Sequence, residues 1–118
     1  MKNLDADART LLPLSESTYL ILASLVSPRH GYGIMQNVEE VSGGRVTLGP
    51  GTLYGALTNL LKQRVIRRVG EAGTNGDRRK IYALTPLGEK VLVLEGERLL
   101  SLSKIAHDVT KKLGGKDK

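Results

Sequence analysis

One stretch limits the folds open to this chain more than any other: VIRRVGEAGTNGDRRKIYALT, from Val65 to Thr85. Two β-prone pieces, Val65–Val69 and Lys80–Leu84, flank a connection rich in Gly, Asn and Asp, which is the pattern of a β-hairpin. The other long segments carry helical periodicity, so any sheet must be small and the fold mainly α.

The helices are bounded by their own start and stop signals. Ser15 caps a first helix, with Glu16 favoured by the helix dipole, and Pro28 sets its end. His30-Gly31 opens a second helix, with Ile34, Val38 and Val41 at helical spacing and Gly43-Gly44 as its stop. Arg45–Leu48, with two β-branched residues, predicts a short extended piece. Pro50 then opens a third helix, in which Leu53, Leu57, Leu60 and Leu61 mark a buried face. Thr85-Pro86 starts a last helix that runs to about Leu113, ahead of Gly114-Gly115. These signals predict a winged-helix unit over 12–85, a C-terminal helix over 86–113, and flexible ends at 1–11 and 114–118.

The charge is concentrated. The 118 residues carry a formal net charge of +6. Residues 62–80 alone hold seven basic and two acidic side chains, a net of +5. A basic patch of this kind attracts polyanions, nucleic acid first among them. No cysteine is present, which excludes disulfides and thiolate metal sites and fits a reducing cytoplasm. The longest apolar run, Tyr19–Val26, is far short of the roughly 20 residues that span a bilayer. The acidic N-terminus does not resemble a secretory signal. The sequence therefore predicts a cytoplasmic protein without membrane contact.

The glycines of LGPGTLYGAL, Leu48–Leu57, admit two readings. A phosphate-binding loop is one, and Glu71 even sits where an acid could hold a ribose. However, Gly49-x-Gly51-x-x-x-Gly55 is one residue longer than the dinucleotide fingerprint, and no second βαβ unit follows. No GK[ST] is present for a P-loop. The other reading looks to the side opposite the leucines. At about 100° per residue, Gly51, Thr52, Gly55, Thr58, Asn59 and Lys62 lie outward there, with Tyr54 on the flank. No Asp or Glu occurs between Glu40 and Glu71. A slim face free of acids and carrying hydrogen-bonding groups suits the DNA major groove.

The runs LPLSESTYLILASL, HGYGIM, GPGTLYGALTNLLKQRVI and RRKIYALTPLGEKVL together resemble the PadR family of transcriptional regulators, and more broadly a winged helix-turn-helix. The resemblance covers about residues 12–113. It implies a homodimeric repressor whose third helix enters the major groove of an inverted-repeat operator. The hairpin would be a wing on the flanking backbone. Its contacts would come from Thr74, Asn75, Arg78, Arg79 and Lys80, with Tyr32 and Tyr54 as phosphate contacts or core residues.

The last helix would form the dimer, or fold its seam back on its own domain. Leu99, Leu102, Ala106, Val109 and Leu113 recur at alternating steps of three and four, the spacing of a helix seam. Leu87, Val91 and Leu94 form an apolar face packed on the domain. Some members sense phenolic acids or flat cationic drugs at the dimer centre. With neither Trp nor Phe here, any effector pocket would be aliphatic.

No catalytic or cofactor motif is present. His30 reads as a cap or packing residue and His107 lies in the seam region, so neither enzyme activity, metal nor cofactor is expected. A different class of reading is a protein-interaction adaptor that uses the same fold to hold an acidic partner.

Overall fold

The computed structural model describes residues 3–72 and 79–114. Among these described residues five helices and three strands follow one another: α1 (Leu4–Arg9), α2 (Glu16–Ser24), β1 (Arg29–His30), α3 (Gly31–Val41), α4 (Pro50–Lys62), β2 (Ile66–Ala72), β3 (Arg79–Leu84) and α5 (Pro86–Gly114). The strands form one antiparallel sheet in the order β1-β3-β2.

The helix starts follow from their caps. Ser15 Oγ accepts from the Thr18 N–H at 3.1 Å, and Thr85 Oγ1 accepts from the Gly88 N–H at 3.1 Å. Thr85 also donates to the Arg64 carbonyl at 2.6 Å, which ties the start of α5 to the end of α4. Gly88 packs so closely on the Val65 carbonyl that no side chain fits there.

The core lies where α2, α3 and α4 meet the sheet and the first half of α5. Ile21, Leu22, Ile34, Val38, Leu53, Leu57, Val65 and Val91 are all buried within it. Burial of one such aliphatic side chain contributes about 1.5–3 kcal/mol. The predicted stripe of the third helix is therefore the buried face of α4, with Leu61 only half-buried at its edge.

Three local readings differ from the structure. Arg45–Leu48 is not a strand: Ser42 Oγ takes the Val46 N–H at 3.0 Å, and no sheet edge runs alongside. Val46 and Leu48 pack on the core instead. The third strand is β1, a two-residue pairing of Arg29 with Tyr82 and His30 with Ile81, too short to leave a pattern in sequence. Within the span expected as a flexible N-terminal end, residues 4–9 form α1. Asn3 caps it, Ala8 is fully buried, and Asp5 meets Lys90 of α5 at 3.4 Å. Six residues do not hold a helix alone, and packing on α5 supplies what propensity cannot. Positions 115–118, the rest of the predicted flexible C-terminus, lie outside the described residues.

A three-helix unit with a small antiparallel sheet whose hairpin projects beside the third helix is a winged helix-turn-helix, here extended by α1 and α5.

Candidate nucleic-acid interface

α4 supplies the centre of the site. Gly49 caps it without a side chain and Pro50 occupies the first turn, so nothing bulky crowds its N-terminus. Gly51, Thr52, Tyr54, Gly55, Thr58, Asn59 and Lys62 are all exposed. At Gly51 and Gly55 an added Cβ would meet nothing within 4 Å. Packing within the described residues therefore does not require glycine at either position.

Two of these side chains behave differently from a simple outward projection. Thr58 Oγ1 donates to the Tyr54 carbonyl at 2.9 Å, leaving a lone pair and a methyl group for a partner. Asn59 leans to the other flank of the helix, where it borders a cleft of about 310 Å³ together with Ser15, Thr18 and Gln63.

Tyr54 projects toward α3. Its hydroxyl lies over Gly31, where an added Cβ would require the Tyr54 ring to shift. Tyr32 is 55% exposed and stacks on His30, with centroids 6.4 Å apart and planes 12° apart.

The wing brings the basic side chains alongside. β2 and β3 pair from Ile66↔Leu84 to Ala72↔Arg79, with a bulge between Arg68 and Gly70. Gly70 takes φ of 155° there, a conformation open to glycine. Arg67, Arg68, Arg79 and Lys80 are exposed on the two strands, and Lys62 and Arg64 at the end of α4 extend the same basic region. The candidate contacts Thr74, Asn75 and Arg78 lie outside the described residues.

Tyr32, Tyr54, Arg79 and Lys80, chosen from separate parts of the sequence, come together around one cleft of about 450 Å³. His30 and Tyr82 line it too. The sequence reading missed both as site residues. Period-two alternation in RRKIYALT could have placed Tyr82 on the face of Lys80, but nothing local reveals that β1 sets His30 beside β3.

The arrangement is that of a DNA-binding winged helix: an acid-free reading face, a basic hairpin beside it, and donors between them. Residues 20–93 match the Transcriptional regulator PadR-like family, and the chain belongs to that family. A PadR family transcription regulator from Clostridium difficile R20291 is 25% identical, with a TM-score of 0.68 over 80% of this chain and 98% of that one. The protein smu.1704 from Streptococcus mutans UA159 is 31% identical, with a TM-score of 0.65 over 84% of this chain and 87% of its own. An uncharacterized 37.1 kDa protein in transposon TN4556 of Streptomyces fradiae is 39% identical over 90 residues, 75% of this chain. The chain spans about a quarter, 24%, of that protein's length. The family is one of transcriptional regulators. No helix among the described residues is long and apolar enough to cross a membrane.

Proposed function

We propose that the chain is a cytoplasmic, homodimeric repressor that reads an inverted-repeat operator through α4 and is released by a small-molecule effector. The observation that carries the reading is the outer face of α4, free of acids and left open at Gly51 and Gly55, beside the basic wing. In this division of labour Thr52, Thr58, Asn59 and Lys62 read bases or adjacent phosphates. Tyr32, Tyr54, Thr74, Asn75, Arg78, Arg79 and Lys80 hold the backbone.

The dimer is supported by α5. Leu99, Leu102, Ala106, Val109 and Leu113 continue the side of the helix that Val91 and Glu95 bury nearer its start, yet every described residue beyond Leu99 is exposed. A two-fold pair joined there would present both α4 helices to half-sites about 10 bp apart. For an effector, a cleft of about 400 Å³ lies where α5 leaves α2, lined by Leu14, Tyr19, Leu20 and Leu99 with Ser15, Glu16 and Glu95.

The decisive experiment is binding to the DNA upstream of the chain's own gene, measured against random duplex at several salt concentrations. Affinity should fall steeply with salt, because the basic segment displaces condensed counterions. Reversing Arg78 and Arg79 to Glu should weaken operator and random DNA alike. Binding that is insensitive to salt and sequence would favour an acidic protein partner and sink the reading.

A further inference from the structure

Tyr82 is buried to 4% exposure on β3, on the same face as Lys80. A phenol ring gains by burial, but its hydroxyl must still find water or a partner. Among the described residues the Tyr82 hydroxyl makes no hydrogen bond, and no buried side-chain oxygen there is both unpartnered and cut off from solvent. The hydroxyl therefore opens into the cleft that Tyr82 lines.

The other walls of that cleft also present donors. Tyr54 stands across from Tyr82. Burial above all, and then the Tyr54 phenol, push the Tyr82 hydroxyl above the usual phenol range, while Arg68 pulls weakly the other way. At neutral pH it keeps its proton. His30 Nδ1 accepts from the Gly33 N–H at 3.1 Å, so the ring carries its proton on Nε2. β1 fixes this ring beside β3 through the pairing of His30 with Ile81. Lys80 adds an ammonium, and no carboxylate among the described residues lines the cleft. Phenol, imidazole and ammonium donors without an acid make a seat for an anion. Because the cleft opens beside the outer face of α4, a duplex lying along that helix runs its backbone past it.

We infer that this cleft seats one backbone phosphate of DNA, with the Tyr82 hydroxyl as its buried donor and His30 Nε2–H as the donor at its mouth. The inference rests on the DNA-binding reading and adds two contact residues to it.

The test uses the full chain with Tyr82→Phe, which removes only the hydroxyl. Affinity for upstream DNA and for mixed-sequence duplex should both drop about tenfold, as for loss of one hydrogen bond to a charged group. The salt dependence should stay unchanged, because no cation is lost, whereas Lys80→Gln should lower its slope by about 1. Thermal stability should be preserved, since the hydroxyl makes no hydrogen bond among the described residues. His30→Asn keeps an acceptor for the Gly33 N–H and lacks the Nε2 donor, so it should weaken duplex binding several-fold at equal stability.

Wild-type affinity in Tyr82→Phe, or a loss of stability in step with affinity, would overturn the phosphate seat. Tyr82 ring resonances that shift with inorganic phosphate but not with duplex would assign the cleft to a free anion and overturn it as well. Failure of the wild-type chain to bind any duplex would instead remove the DNA reading beneath it.

Discussion

α4 and α5 each leave one face uncovered, and the two faces are made of opposite materials. On α4 it is glycine, threonine, asparagine and one lysine, with open space over Gly51 and Gly55. On α5 beyond Gly96 it is Leu102, Ile105, Val109 and Leu113, exposed by between 49% and 60%. A slim polar face with basic flanks suits a hydrated polyanion, whereas a contiguous apolar stripe is stable in water only when something covers it. The contrast teaches that one chain carries two chemically opposite surfaces, which the proposed function assigns to nucleic acid and to a second copy of the chain.

The border between covered and uncovered α5 is chemically marked. Glu95 is 1% exposed, and its carboxylate accepts from the Leu14 N–H at 2.8 Å and from Arg98 at 2.6 and 2.9 Å. The Arg98 guanidinium lowers the Glu95 pKa, burial opposes it, and the Leu14 N–H adds to the lowering. On one side of this anchor α5 belongs to the domain. On the other side it has left it.

The largest effect should come from charging the apolar face. Asp at both Leu102 and Val109 would bury unpaired charge in a dimer seam at a cost of several kcal/mol, yet cost a monomer little. Light scattering should show monomers of unchanged helical content that attach weakly to any duplex and no longer select the operator. A monomeric variant with full operator affinity would break the comparison at its α5 end.

Glu95→Ala should be next. It leaves the part-buried Leu14 N–H without its acceptor, a loss of about 1–3 kcal/mol in thermal or urea unfolding. The same anchor gives a signed pH dependence. A glutamate whose folded pKa lies below its unfolded value contributes its full stability above the unfolded value and loses it as pH falls through the folded one. Wild-type stability should therefore fall through and below the ordinary glutamate range, and that component should be missing in Glu95→Ala.

On α4, Asn59→Ala should cut discrimination between operator and random DNA by about 1–3 kcal/mol, the worth of a bidentate base contact. Because Asn59 also borders the cleft with Ser15 and Thr18, an unchanged ratio would move the reading role toward Thr52 and Lys62.

The two smallest effects separate stability from binding. α3 and α4 end in the same turn, with the residue after the C-cap in left-handed conformation: Gly43 at φ 64° in one and Arg64 at φ 62° in the other. Arg64→Gly should relieve roughly 1 kcal/mol of backbone strain while slightly weakening duplex binding by removing a cation. Gly55→Ala should add about 0.5–1 kcal/mol of stability. If the face of α4 meets DNA closely, the same change should weaken binding; unchanged affinity would mean that the slimness of α4 has no use.

Local signals did most of the work of placing the elements. Ser15, Pro50, Thr85 and Pro86 mark helix starts in a few residues each, because caps and first turns are satisfied locally, and the hairpin declares itself by its turn residues. The grouping of the site was less legible. The outward face of α4 follows from helical geometry alone, but its adjacency to Tyr82 and His30 depends on strand pairing across some fifty residues of chain, for which periodicity carries no information.

What the sequence alone determined, then, is everything written at the spacing of a single helix or strand: the caps, the leucine stripe of α4, the apolar spacing of α5 and the clustering of charge between Lys62 and Lys80. Tertiary structure alone decided that Arg45–Leu48 finds no strand to pair with, that Arg29–His30 does, that α1 folds on α5, and that the apolar spacing of α5 is covered up to Glu95 and bare after it. The physical reason is common to all four: a hydrogen-bond partner or a burying surface far along the chain decides the outcome, and the local sequence specifies only the side that waits for it.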